Sequence, residues 1–165
     1  MSLADGDEAN ANQDLRAALG EVSTTSEKEM LDDAVGQIAN LVVIAMKNFC
    51  ASESILNRAC LVLHNLSLTD EYHTILLWTP NCYQMLDWCL ANYRTDQVLQ
   101  QSAAGTLHRL QATLSANDDL RQRFASSLQS QQQTCLERVH REAQLMHQRE
   151  GQLSTTLRTP ESREP

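Results

Sequence analysis

Proline occurs only three times and glycine five times in 165 residues, and aromatic side chains make up 4 % of the chain. A β-sandwich or barrel needs a turn at intervals of roughly 8–12 residues, usually written with glycine and proline. Their scarcity excludes turn-rich β architectures and leaves an all-α chain, with 42 % hydrophobic residues to build one modest core. Long apolar runs are also missing. The longest, LVVIAM at 41–46, falls well short of the roughly 20 residues a membrane helix requires. No basic, apolar leader opens the sequence. The five cysteines, Cys50, Cys60, Cys82, Cys89 and Cys135, are odd in number and fall inside apolar helical patterns. There a cysteine acts as a small hydrophobe, which implies a reducing compartment. The expectation is a soluble, intracellular protein, cytoplasmic rather than nuclear, with no membrane contact.

An excess of positive charge is absent too. The formal net charge is −8. Nine acids and two bases lie in residues 1–33, which places −7 there and leaves about −1 for the rest. Nucleic-acid affinity comes largely from basic side chains on phosphates, so that partner class is excluded. Chemical signatures are equally sparse. No G-x-G-x-x-G, G-K-S or G-x-S-x-G occurs, and His73 stands without a nucleophile signature. His64 and His108 hold equivalent places, but neither has the His or Cys neighbours of a zinc site beyond Cys60 beside His64. The sequence predicts no enzyme, no metal and no cofactor.

What the chain does contain is helical periodicity. Ser26 followed by Glu29 reads as a capping box, so a helix is expected from near Glu27. Val35, Ile38, Leu41, Val42 and Ala45 form one stripe, and Ile55, Ala59, Val62, Leu63 and Leu66 the next. A short helix follows around Ile75, Leu76 and Leu77. Pro80 is expected in the first turn of a helix carrying Tyr83, Met85, Leu86, Cys89 and Leu90. Asp96 is placed to cap a helix with Val98, Leu99, Ala103, Leu107 and Leu110, and SANDD at 115–119 starts another. Four segments result: a disordered acidic stretch at 1–25, helical repeats at 26–128, a C-terminal helix at 129–150, and a disordered tail at 151–165.

Two of these segments repeat. ACLVLHNL at 59–66 and AAGTLHRL at 103–110 align with a shift of 44, which the register holds without a gap back to Leu41 and Met85. Ala59, Leu63, His64 and Leu66 meet Ala103, Leu107, His108 and Leu110; Asn48 meets Asn92. With a short helix at Met30-Leu31 matching Ile75-Leu76 and then Asp119-Leu120, the unit reads as short helix, helix, helix. Its length lies within the roughly 40–47 residues of armadillo and HEAT units and outside the 33 or 34 of ankyrin and tetratricopeptide repeats.

Here the chain resembles the armadillo repeat, whose third helix ends in A-x-x-x-L-x-N-L: Ala59, Leu63, Asn65 and Leu66 match, while Arg109 replaces the asparagine in the second copy. The resemblance implies a right-handed α-solenoid of two to two and a half repeats with a long C-terminal helix. It implies a scaffold or adaptor that binds an extended peptide or a helix on its third-helix face. Carried over, Asn65 is the amide that would bond a peptide main chain, with Leu61 and Gly105 one turn earlier. Arg58 and Arg109 would favour an acidic partner, because the guanidinium pairs carboxylates through a planar fork. Two units are fewer than such stacks usually need, so one end must be covered by the C-terminal helix, by a second chain forming a homo-oligomer, or by further repeats. A rival reading gives the C-terminal helix the active role. Leu136, Val139, Leu145 and Met146 would then pair with a partner helix as a coiled coil or cytoskeletal assembly module.

Overall fold

The computed structural model describes the backbone of residues 5–156 and, within it, the side chains of 17, 20, 24–130 and 136–156. Every regular element among them is helical: α1 (Asp5–Asn48), α2 (Glu53–Ser67), a 3₁₀ turn (Asp70–Tyr72), α3 (His73–Trp78), α4 (Cys82–Asn92), α5 (Gln97–Ala116) and α6 (Asp118–Thr156). The all-α armadillo-like stack expected from the sequence is the fold. The C-terminal part of α1 and α2 form one unit, and α3, α4 and α5 form the next.

The backbone obeys the 44-residue shift through the loop between second and third helices. Phe49 and Tyr93 each donate their N–H to the carbonyl four residues back, Ala45 and Cys89, at 2.9 Å. Ser52 and Asp96 then occupy the N-caps of α2 and α5 with the same extended backbone. Their side chains differ in what they do. Asp96 accepts from the Leu99 N–H at 3.0 Å, whereas Ser52 makes no capping bond. Asp96 also receives the Asn57 amide on both oxygens, at 2.9 and 3.0 Å, which ties the start of α5 to α2. The Leu99 N–H first and the Asn57 amide second hold its carboxyl below the usual value.

The core runs through both units. Val43, Met46, Leu56, Cys60 and Leu63 of the first meet Leu76, Met85, Leu86, Cys89, Leu99, Ala103 and Leu110 of the second, all buried. Cys50, Cys60, Cys82 and Cys89 are free thiols within this core. Burial pushes Cys82 up to about 12, a value at which the thiol stays protonated and packs as a hydrophobe. The Tyr93 hydroxyl reaches from the second unit to the Cys50 carbonyl of the first. Its pKa is raised to about 12, by burial first.

Three boundaries differ from the sequence reading. Residues 5–25 continue α1 instead of lying outside regular structure, and no break separates Met30-Leu31 from the helix that follows. The segment has no proline, and alanines at 9, 11, 17 and 18 favour a helix. Serine and threonine at 23–26 lower propensity by only a few tenths of a kcal/mol each. Thr24 returns its hydroxyl to the Gly20 carbonyl at 3.0 Å, within the helix it was expected to end. Likewise α6 passes unbroken across 128/129 and on to Thr156, so the third short helix and the C-terminal helix are one element. Residues 1–4 and 157–165 of the two expected disordered segments lie outside the described residues. Lastly, Pro80 ends α3 and does not open α4. The turn is completed by Asn81 at φ 62°, a left-handed conformation that asparagine tolerates better than other side chains. The Lys47 ammonium donates to the Asn81 side-chain oxygen at 3.3 Å, joining the turn to α1.

α6 starts on an Asn117 cap, whose side-chain oxygen accepts from the Leu120 N–H at 3.0 Å. It then crosses the back of the second unit. Phe124 meets the rings of Tyr83 and Trp78 edge-on, at centroid distances of 5.4 and 6.4 Å. Farther along, Val139 and Ala143 are buried, and the Cys50 thiol lies 3.6 Å from the Val139 carbonyl. No helix among the described residues is long and apolar enough to cross a membrane.

Candidate functional site

A partly polar recess forms where the C-terminal half of α5 meets the turn before α3 and the start of α3 and α6. Asp70, His73, Arg109, Thr113, Asn117 and Leu120 line an open groove of about 550 Å³. Each side chain is set by its helix. His73 is the first residue of α3 and is buried, with both ring nitrogens bonded. Nε2 lies 2.7 Å from the Ser67 carbonyl, which can only accept, so Nε2 carries the proton. In the neutral ring Nδ1 then accepts the Thr113 hydroxyl at 2.6 Å. His73 thus pins the end of α2 to α5 and makes one wall of the groove.

Arg109 makes the opposite wall. Its Nη1 sits 3.3 Å from His64 Nδ1 and 3.4 Å from the Ser67 hydroxyl. Since a guanidinium only donates, His64 Nδ1 accepts there. The approach is possible because residue 105 is glycine: a Cβ at that place would stand 3.2 Å from the His64 ring and 3.4 Å from Arg109 Nη1. Gly36, inside α1, would meet only Ile75 at an ordinary 3.6 Å. Gly105 therefore makes room for His64 and Arg109, while Gly36 does not serve a comparably close contact. Among the described residues no carboxylate lies within ion-pair distance of Arg109, and its bonds to His64 and Ser67 leave donors of its fork for a ligand.

The sequence-derived residues divide into two groups. Gly105 and Arg109 stand together with His64, and Leu61 lies half-buried one turn before Asn65, which is exposed. Arg58 stands apart. It is exposed at the position whose repeat equivalent, Ser102, is buried in α5. Of the residues considered for helix pairing, Val139 is buried, Leu136 packs half-buried on the core, and Leu145 and Met146 are exposed. Sequence reasoning gave no role to His73 or Thr113. Their signal would have been a histidine at the start of a short helix, which becomes informative only when the 40 intervening residues are folded. Among the described residues no group of three or more His, Cys, Asp or Glu is placed to hold a metal ion.

Compared with known families, the chain matches the family described as LRRK2 ARM repeat over residues 7–154. No curated protein and no solved structure matches it.

Proposed function

Because the chain belongs to the LRRK2 ARM repeat family, a class of helical repeat that generally serves protein–protein interaction, we propose that it is a non-enzymatic scaffold that receives an acidic, extended peptide along α2 and α5. The observation that carries this reading is Arg109. It replaces the asparagine of the repeat, lines the groove from a fixed position beside His64 and Ser67, and has no acidic partner among the described residues. A guanidinium so held recognises a carboxylate with little further loss of side-chain freedom. Asn65, exposed one unit earlier, supplies a donor and an acceptor for peptide main chain. The scaffold acts as a cytoplasmic adaptor, as the reduced, buried cysteines favour.

Selection of displayed random peptides against the full chain tests this. Acidic sequences should be enriched, and Arg109→Glu should weaken them by at least about tenfold, the scale of one lost charge-assisted bond. Enrichment without acidic bias, or binding indifferent to Arg109→Glu and Asn65→Ala, removes the groove from consideration. A second reading retains the far end of α6 for helix pairing, on the ground that Leu145, Met146 and Leu153 are exposed together there.

A further inference from the structure

The internal repeat makes burial in one unit informative about the other. On α4, Cys82, Met85 and Cys89 are buried, and on α5 so are Leu99, Ser102 and Thr106. These are the sides that meet the first unit: Cys89 packs in one core with Cys60 of α2, and Asp96 takes the Asn57 amide. Forty-four residues earlier the same positions are Ile38, Leu41 and Ala45 on α1, and Ile55, Arg58 and Val62 on α2. Among the described residues, all of these but the half-buried Ala45 are left exposed. Leu41 is 66 % exposed where Met85 is fully buried, and Val62 is 38 % exposed where Thr106 is fully buried. Ile38, Ile55 and Phe49 are open as well. Large apolar side chains left open together on one face of a monomer often mark an interaction site.

We propose that this front face is closed by a second copy of the chain, packed front to front about a twofold axis. The far end of the molecule decides against head-to-tail stacking. There α6 buries Leu120 and sets Phe124 against Tyr83 and Trp78 of the second unit. The forward side of α5 presents Gln101, Ala104, His108 and Gln111, exposed and mostly polar, at the equivalents of Asn57, Cys60, His64 and Ser67. A copy therefore has no apolar back to offer. Its one open apolar stack surface is its own front, and an interface of like with like closes at two.

Charge sets the orientation. Arg58 lies within the front face, at the end where α1 gives way to α2, with no carboxylate in ion-pair reach among the described residues. The exposed acids Glu27, Glu29 and Asp33 stand toward the N-terminal side of α1. An antiparallel crossing of the two α1 helices brings the acids of each copy toward the Arg58 end of the other. A parallel crossing would set two segments of −7 side by side and repel.

Sedimentation equilibrium of the full chain up to about 100 µM tests the proposal, together with Leu41→Arg and Val62→Arg, whose exposed positions leave helicity and melting temperature intact. The wild type should be a dimer that does not grow further. Each arginine should weaken it by at least about tenfold. Leu145→Arg should leave it unchanged, and Leu41→Cys should cross-link to itself between chains. A wild type that stays monomeric overturns the proposal. So does a dimer that ignores Leu41→Arg and Val62→Arg, one that is lost on Leu145→Arg, or an oligomer that keeps growing with concentration. The test is independent of the Arg109 groove, because none of these substitutions lines it.

Discussion

At the front of the stack Leu41, Ile38 and Val62 face outward, while α6 turns its own Phe124, Val139 and Ala143 inward onto the core. Both ends grow from one repeated pattern of apolar positions. The back is closed because the chain continues for a further 39-residue helix after α5 and lays part of it across the second unit. Ahead of the first unit the chain runs along α1, whose residues 24–31 are exposed on every side. Within that stretch Met30 and Leu31 alone are large and apolar, too few to make a stripe that caps an apolar face. The lesson is that a repeat fixes which positions want to be covered, and the sequence flanking it fixes which ones are.

The back end should give the largest effect when that contrast is broken. Phe124→Ala removes a ring held between Tyr83 and Trp78, and should cost about 3 kcal/mol in chemical denaturation. An effect below about 1 kcal/mol would show that α6 is not a working cap. Next comes the capping pair in the two loops. Asp96→Ala loses the Leu99 and Asn57 bonds and should cost about 1–2 kcal/mol, against almost nothing for Ser52→Ala. The Asp96 carboxyl is held below its ordinary 3.8. Its contribution is therefore present above that pH and is lost as pH falls through the lower folded-state value, so the gap between wild type and Asp96→Ala should close in acid.

Smaller effects sharpen the difference between the two glycines. Gly36→Ala has room at 3.6 Å and should stabilise by up to about 1 kcal/mol. Gly105→Ala pushes on His64 at 3.2 Å and should lose that gain while disturbing Arg109, read as weaker capture of acidic peptides. The smallest change belongs to the front. Leu41→Ser should alter the stability of the monomer by less than about 0.5 kcal/mol, measured below the concentration at which chains associate. A larger loss would mean that Leu41 is covered within its own chain.

Much of this was legible beforehand. The 3.6-residue period gave the helices, Asp96 announced the α5 cap, and the 44-residue shift gave the units. Arg109 and Gly105 were visible as departures from the repeat, although nothing in the sequence placed His64 between them. Arg58 was grouped with Arg109 because both lie on third helices. Folding separates them, since the equivalent of Arg58 is an interface position, Ser102. His73 was legible only as a titratable residue without a partner. Its partners, Ser67 and Thr113, come from helices on either side of it.

By itself the sequence determined the fold class, the repeat length and the absence of the signatures that chemistry, membranes or nucleic acid would need. These depend on local periodicity and composition, which short-range sterics and apolar burial convert directly into helices. The tertiary structure decided which face of each helix is covered, where α6 lies, and that His64, Ser67, His73, Arg109 and Thr113 converge on one groove. Those outcomes depend on contacts between residues some 40 or more apart, and such contacts exist only once neighbouring units have stacked to hide apolar surface that neither hides alone.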